Sequence, residues 1–221
     1  RKGGFWGKNA DADELIQQVK DNPPIELSGG RLKVGYFSDR SLRKRVSVSF
    51  EIVVPANTEV VADSGSGSVT VVGIEAPVNA DTGSGSVTLR NITGSVKADT
   101  GSGRVKLDNI TGSIMADTGS GSIRAGNIAG EFHGDTGSGS IDVEGRQEGR
   151  WMLDTGSGSV NVDLPDDAAF DVNLESSSGK IVIDHPMTMQ GEMSRKHVKG
   201  KVRGGGPLLH IDTGSGSIRV E

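Results

Sequence analysis

DTGSGSVTLRNITGSVKADTGSGRVKLDNITGSIMADTGSGSIRAGNI, from Asp81 to Ile128, decides the fold because the same phrase keeps returning at one spacing. DTGSG starts at Asp81, Asp99, Asp117, Asp135, Asp154 and Asp212, with DSGSG at Asp63 and ESSSG at Glu175. From Asp63 to Asp135 every step is 18 residues, and the next is 19. A fixed period of this length signals one supersecondary unit stacked on copies of itself.

Each unit divides again. An apolar residue falls every nine positions (Val69, Val78, Val87, Val96, Val105, Ile114, Ile123, Phe132, Ile141), and two residues on comes a second small or apolar one, such as Leu89, Ala98, Leu107 and Ala116. Apolar residues two apart, with a polar residue between, make short strands with one face buried. The expected fold is therefore all-β: a parallel β-solenoid of about 18-residue coils with two main strands per coil. Parallel crossovers favour a right-handed path. Eight or nine coils at ~4.8 Å give a rod about 40 Å long. Ile74, Ile92, Ile110 and Ile128 recur once per coil in the link between strands and suggest a short third side. Where Phe132 replaces Val, Leu gives way to Ala125 and Ala to Gly134, which keeps the enclosed volume constant. Trp151 takes the same place in the following coil, after a turn lengthened by one residue between Gly145 and Gly149.

The corner has its own expected logic. The two glycines of GSG suit positive φ, and their lack of side chains lets stacked turns approach closely; the preceding Asp suits a turn cap that accepts backbone N–H groups two or three residues on. Asn91, Asn109 and Asn127 suit the opposite bend.

Outside the repeat, residues 1–24 form an N-terminal segment with a short helix over Ala12–Lys20, Asp11 as its N-cap and Pro23-Pro24 as its stop. Residues 25–62 read as capping strands (Arg31–Tyr36 and Arg45–Val54), 63–183 as the solenoid, 184–207 as an irregular loop or coil, and 208–221 as the final repeat strand.

Composition narrows the function. Thirty-four glycines and eight aromatics suit a thin shared core. The absence of cysteine excludes disulfides, cysteine zinc sites and a thiol nucleophile. A net charge of −5 speaks against nucleic acid as a partner; the short Arg43-Lys44-Arg45 cluster reads as a solvated edge. No apolar run reaches the ~18 residues of a membrane span, so no anchor is seen in this segment. The start at Arg1, without Met, suggests that a signal or anchor precedes it.

RVSVSFEIVVPANTEVVADSGSGSV (Arg45–Val69), the serial DTGSGSV and NITGSV units, and GGGPLLHIDTGSGSIRVE (Gly204–Glu221) together resemble the bacterial β-strand-repeat "putative adhesin" family, a domain of unknown function. The resemblance covers nearly the whole chain from about Asp13. It implies a β-helical protein that is exported or envelope-associated, and it carries no catalytic residues over.

Four candidate chemistries stand in the sequence. DTGS is the signature of aspartic proteases, but six copies at coil spacing are explained by the repeat. The Asp row, with Asp81, Asp99, Asp117 and Asp135 at its centre, is a candidate calcium site, against the turn-cap reading. His185, Met187, Met189, Met193 and His197 gather soft donors for copper, against the use of Met as filler. His133 reads as a lone outward histidine. Nothing assembles a nucleophile, base and orienter. The expectation is a non-enzymatic, adhesin-like display rod of the cell envelope or secreted space, needing no cofactor and binding an unidentified surface ligand, glycan or protein, by its outward faces. The alternatives are a cation- or carbohydrate-binding module using the Asp/Gly-Ser-Gly corner, and a scaffold that self-associates through solenoid ends.

Overall fold

The structure is a computed structural model that describes residues 7–35, 47–189, 194 and 196–221. The chain divides into two compact units, residues 1–54 and 55–221. In the first, helix α1 spans Gly7–Asp21, so Asp11 falls inside it rather than at its N-cap. Strands β1 (Ile25–Ser28) and β2 (Arg31–Val34) pair antiparallel. Gly29 and Gly30, at φ +57° and +75°, make the two-residue hairpin that twisted strands prefer. The Ser-Gly-Gly-Arg signal for that hairpin stands in the sequence and was missed. Tyr36, Arg45 and the rest of the basic cluster lie outside the described residues. Residues 47–54 form no strand, and Val53 is 93% exposed. Alternation alone gives no strand where no ladder partner is present.

The second unit is the solenoid. Strands leading into the Gly-Ser-Gly corner stack as face A: β3 (Val60–Ser64), β5 (Val78–Thr82), β7 (Val96–Thr100) and β9 (Ile114–Thr118). Strands leaving it stack as face B: β4 (Val69–Ile74), β6 (Val87–Thr93) and β8 (Val105–Thr111). The long strands β10 (Ile123–Thr136) and β11 (Ile141–Thr155) run round the far bend and serve both faces. All of these pairings are parallel, and equivalent residues pair rung to rung, Val96 on Ile114 and Val87 on Val105 for example, with the register shifting at the bend between β10 and β11. About six turns of some 18 residues follow in chain order.

The core is the inward set. In one coil Val96, Ala98, Val105, Leu107 and Ile110 are all buried, and each fully buried Val, Leu or Ile side chain contributes about 1.5–3 kcal/mol. Ile74, Ile92, Ile110 and Ile128 stack on one another, which makes the short third side real. The bend before it has one conformation throughout: Gly73, Asn91, Asn109 and Asn127, 18 residues apart, all sit near φ +53° to +73°, a region open to Gly and Asn. Phe132 and Trp151 meet edge to face at 6.2 Å, and Trp151 Nε1 donates to the Gly130 carbonyl at 2.9 Å. A Cβ on Gly134 would lie 3.3 Å from Phe132, so the small residue makes room for the large one.

After β12 (Val160–Asp163) the stack departs from chain order. The next coil in sequence is β13 (Phe170–Ser176) with β14 (Ile181–Ile183), but neither touches the coil before it. Between them lies the C-terminal segment, β17 (Leu208–Thr213) on face A and β18 (Ile218–Val220) on face B. Strand β17 pairs with β11 on one side and β13 on the other, and β18 with β12 and β14, all parallel. The final repeat is an interior rung, not the end of the rod. Within the stretch read as an irregular loop, β16 (His197–Val202) pairs antiparallel with β13, and β15 (Met187–Met189) with β16. Antiparallel strands end the parallel stacking on face A there.

Candidate functional site

The corner is not capped as its sequence suggests. Thr82, Thr100, Thr118, Thr136, Thr155 and Thr213 are buried, and each hydroxyl works twice. Thr118 Oγ1 accepts the Gly121 N–H at 3.0 Å and donates to the Gly103 carbonyl of the preceding coil at 3.1 Å. Thr100 does the same with Gly103 and Gly85, and Thr213 with Gly216 and Gly158. Ser176 of the ESSSG variant takes the place of Thr, accepting from Gly179 and donating to Gly216. The turn cap is therefore Thr, one residue after the Asp. Of the two reasons expected for the GSG glycines, the close approach of stacked turns holds for the second glycine and positive φ does not. Gly103 and Gly121 have no positive φ; a Cβ on Gly121 would overlap the Gly103 carbonyl oxygen below it.

This frees the Asp row. Asp63, Asp81, Asp99, Asp117, Asp135, Asp154, Asp212 and Glu175 lie on successive face A rungs as in-register partners. The calcium candidates Asp81, Asp99, Asp117 and Asp135 are thus consecutive. Among the described residues none of the seven aspartates of the row takes a hydrogen bond or ion pair from the protein. Glu175, the last rung, faces His197 Nε2 at 3.9 Å. Burial first, then repulsion from Asp135 and Asp212, raises the Asp154 carboxyl above its ordinary pKa, against a lowering pull from His210 and His133.

Beside the acids runs a second outward row, two residues earlier on each strand: Val61, Asn79, Lys97, Met115, His133, Met152, His210 and Asn173. The two rows are about 7 Å apart along the strands. A shallow groove follows the second row and is lined by Lys97, Met115, His133 and Met152. Face B differs in that several of its outward charges pair with one another. Arg124 meets Asp142 at 3.5 Å, Asn161 donates to Asp142 at 2.7 Å, and Arg219 meets Asp184 at 3.5 Å.

The copper candidates are scattered. His185 is 8% exposed and stands edge-on to Phe170 at 5.5 Å. Met187 and Met189 lie on β15, whereas Met193 lies outside the described residues. His197 is on β16, its Nε2 donating to Asn173 Oδ1 at 2.9 Å. His185 packs on Phe170 whereas His197 pairs with Glu175, so the two histidines lie towards opposite ends of β13, whose Phe170 and Glu175 are roughly 17 Å apart. Among the described residues no three His, Asp or Glu side chains converge to hold a metal ion.

A family model described as Toastrack DUF4097 matches residues 7–221. The chain belongs to the Toastrack family. That family is a domain of unknown function, in keeping with the resemblance read from the repeats. No curated protein matches the Toastrack chain. Among solved structures, a "putative cell adhesion protein" from Clostridium sporogenes is 12% identical, with 77% of this chain and 96% of that one covered and a TM-score of 0.33. No described helix of the Toastrack chain is long and apolar enough to cross a membrane.

Two features of the site escaped sequence reading. The Thr column is as regular as the Asp column, and its burial follows from strand alternation, since Val96, Ala98 and Thr100 share a face. That signal was available. His133 looked solitary because its neighbour two rungs away, His210, is 77 residues later and arrives only through the inserted strand β17.

Proposed function

We propose that this chain is a non-enzymatic binding rod of adhesin type, working in the cell envelope or outside the cell, and that its ligand lies along the acidic row of face A. The carrying observation is that the fold does not consume those acids: Thr caps the turn, and the aspartates bond to nothing among the described residues. Like charges ~4.8 Å apart repel. A ligand that presents cationic or hydroxyl groups at a regular spacing offsets that repulsion and is held by charge-assisted hydrogen bonds. The envelope setting rests on the exported character that the resemblance implies.

The test is an array of glycans and basic peptides probed with the wild type and with an Asp99→Asn, Asp117→Asn, Asp135→Asn variant. Binding that falls at least tenfold in the variant supports the reading; equal binding by both proteins, or none by the wild type, sinks it. The raised pKa of Asp154 favours a second reading, in which a hard cation such as calcium neutralises the row. Millimolar calcium should then raise the melting temperature of the wild type relative to chelator and leave the triple variant unmoved. No shift in the wild type removes that reading.

A further inference from the structure

The inserted strand makes a row that chain order would not. On face A, Met115 pairs with His133, His133 with Met152, and Met152 with His210. Thioether and imidazole thus alternate over four consecutive rungs, bracketed by Lys97 on one side and Asn173 on the other. We propose that this Met115–His133–Met152–His210 ladder is a binding site for a soft monovalent metal ion, copper(I) by chemical class. The grouping owes nothing to the acidic-row ligand, and none of its residues belongs to the loop first considered for copper.

Three observations support it. The first is spacing. Adjacent rungs lie ~4.8 Å apart, and His133 and His210 ~9.6 Å apart with Met152 between them. Two imidazoles rising from the outer rungs can meet one ion above the central thioether, a three-donor set of the kind soft monovalent copper takes.

The second is that the thioethers have no packing role to explain them. Met115 is 47% and Met152 37% exposed, on a face whose other outward residues, Val61 apart, are polar or charged. The third is orientation. Asn173 Nδ2 donates to His210 Nδ1 at 3.1 Å, which aims Nε2 away from Asn173. In the metal-free ring Nε2 carries the proton; copper binding at Nε2 moves that proton to Nδ1 and turns the Asn173 amide, so that Oδ1 accepts it and Nδ2 donates to His197 Nε2. Asn173 in turn bonds His197 at 2.9 Å, so the His210 ring is braced from the next strand. Asp135, Asp154 and Asp212 in the neighbouring row add negative potential without being needed as ligands.

Because the four side chains are outward, their substitution leaves the core intact. Copper(I) is titrated anaerobically into the full chain against a chromophoric chelator, with circular dichroism and melting as the check on folding. One ion per chain is expected, and Met152→Leu or His133→Gln should each weaken it at least tenfold. Met187→Leu and the Asp99→Asn, Asp117→Asn pair should bind as the wild type does. A wild type that takes no copper from the chelator overturns the proposal. So does undiminished binding by Met152→Leu and His133→Gln, or a loss that follows Met187 instead. Calcium has no affinity for thioethers, so its effect on the Asp row and copper's on the ladder can fail separately.

Discussion

Thr118 Oγ1 serves two backbone groups at once, the Gly121 N–H and the Gly103 carbonyl. Replacing it by Val keeps the shape and leaves both groups unpaired in a closed corner. Thr118→Val is expected to lose about 1–3 kcal/mol in urea unfolding, and Thr118→Ser, which keeps the hydroxyl as Ser176 does naturally, a small part of that. A loss as large for Ser as for Val would assign the effect to the methyl group instead. The same residues show what sequence could and could not give. The Gly-Ser-Gly corner and the volume exchange among Phe132, Ala125 and Gly134 were readable because they depend only on size and spacing. The exchange of roles between Asp and Thr was not read, since either side chain can accept an N–H three residues on. Burial decides between them, and the inward parity belongs to Thr.

At the scale of one row, the acids cost the fold something that can be measured. Asp154 has its pKa raised in the folded chain by burial and by its Asp135 and Asp212 neighbours. Its protonated form is therefore favoured by folding. The associated stability is complete below the ordinary carboxylate pKa and is lost as pH rises through the raised value. Asp154→Asn should accordingly melt higher than the wild type at neutral pH, with the gain vanishing in acid and shrinking in high salt, where surface repulsion is screened. A variant that melts lower at pH 7 would mean that the carboxylate has a partner. The parallel strands themselves were legible from period and alternation, down to the third side at Ile92 and Ile110. The antiparallel β15 and β16 were not, because their sequence leaves the repeat: β16 pairs with β13, 20 or more residues earlier, and β15 with β16.

For the whole molecule the decisive fact is spatial order. Periodicity predicts which segments are coils, but identical coils fit any neighbour equally well, so it cannot say which coil lies next to which. The order can be tested with disulfides, since the chain has no cysteine of its own. Asn161 and Arg219 are Cα partners on adjacent parallel strands, within the usual Cα separation of a disulfide. Asn161→Cys with Arg219→Cys should close within one chain and raise the melting temperature. Asn161→Cys with Val182→Cys, two rungs and about 10 Å apart, should stay open. The reverse outcome would restore a stack in chain order. The insertion also bears on how such a chain is made. Leu208 to Glu221 fill the rung between the β11–β12 coil and the β13–β14 coil, both of them earlier in the chain. During vectorial synthesis, then, the β13–β14 coil has no seat on the stack until Glu221 has emerged. A chain cut back before Leu208 would be not a rod one rung shorter but one with a gap and two raw strand edges, which proteases and chaperones can recognise as incomplete.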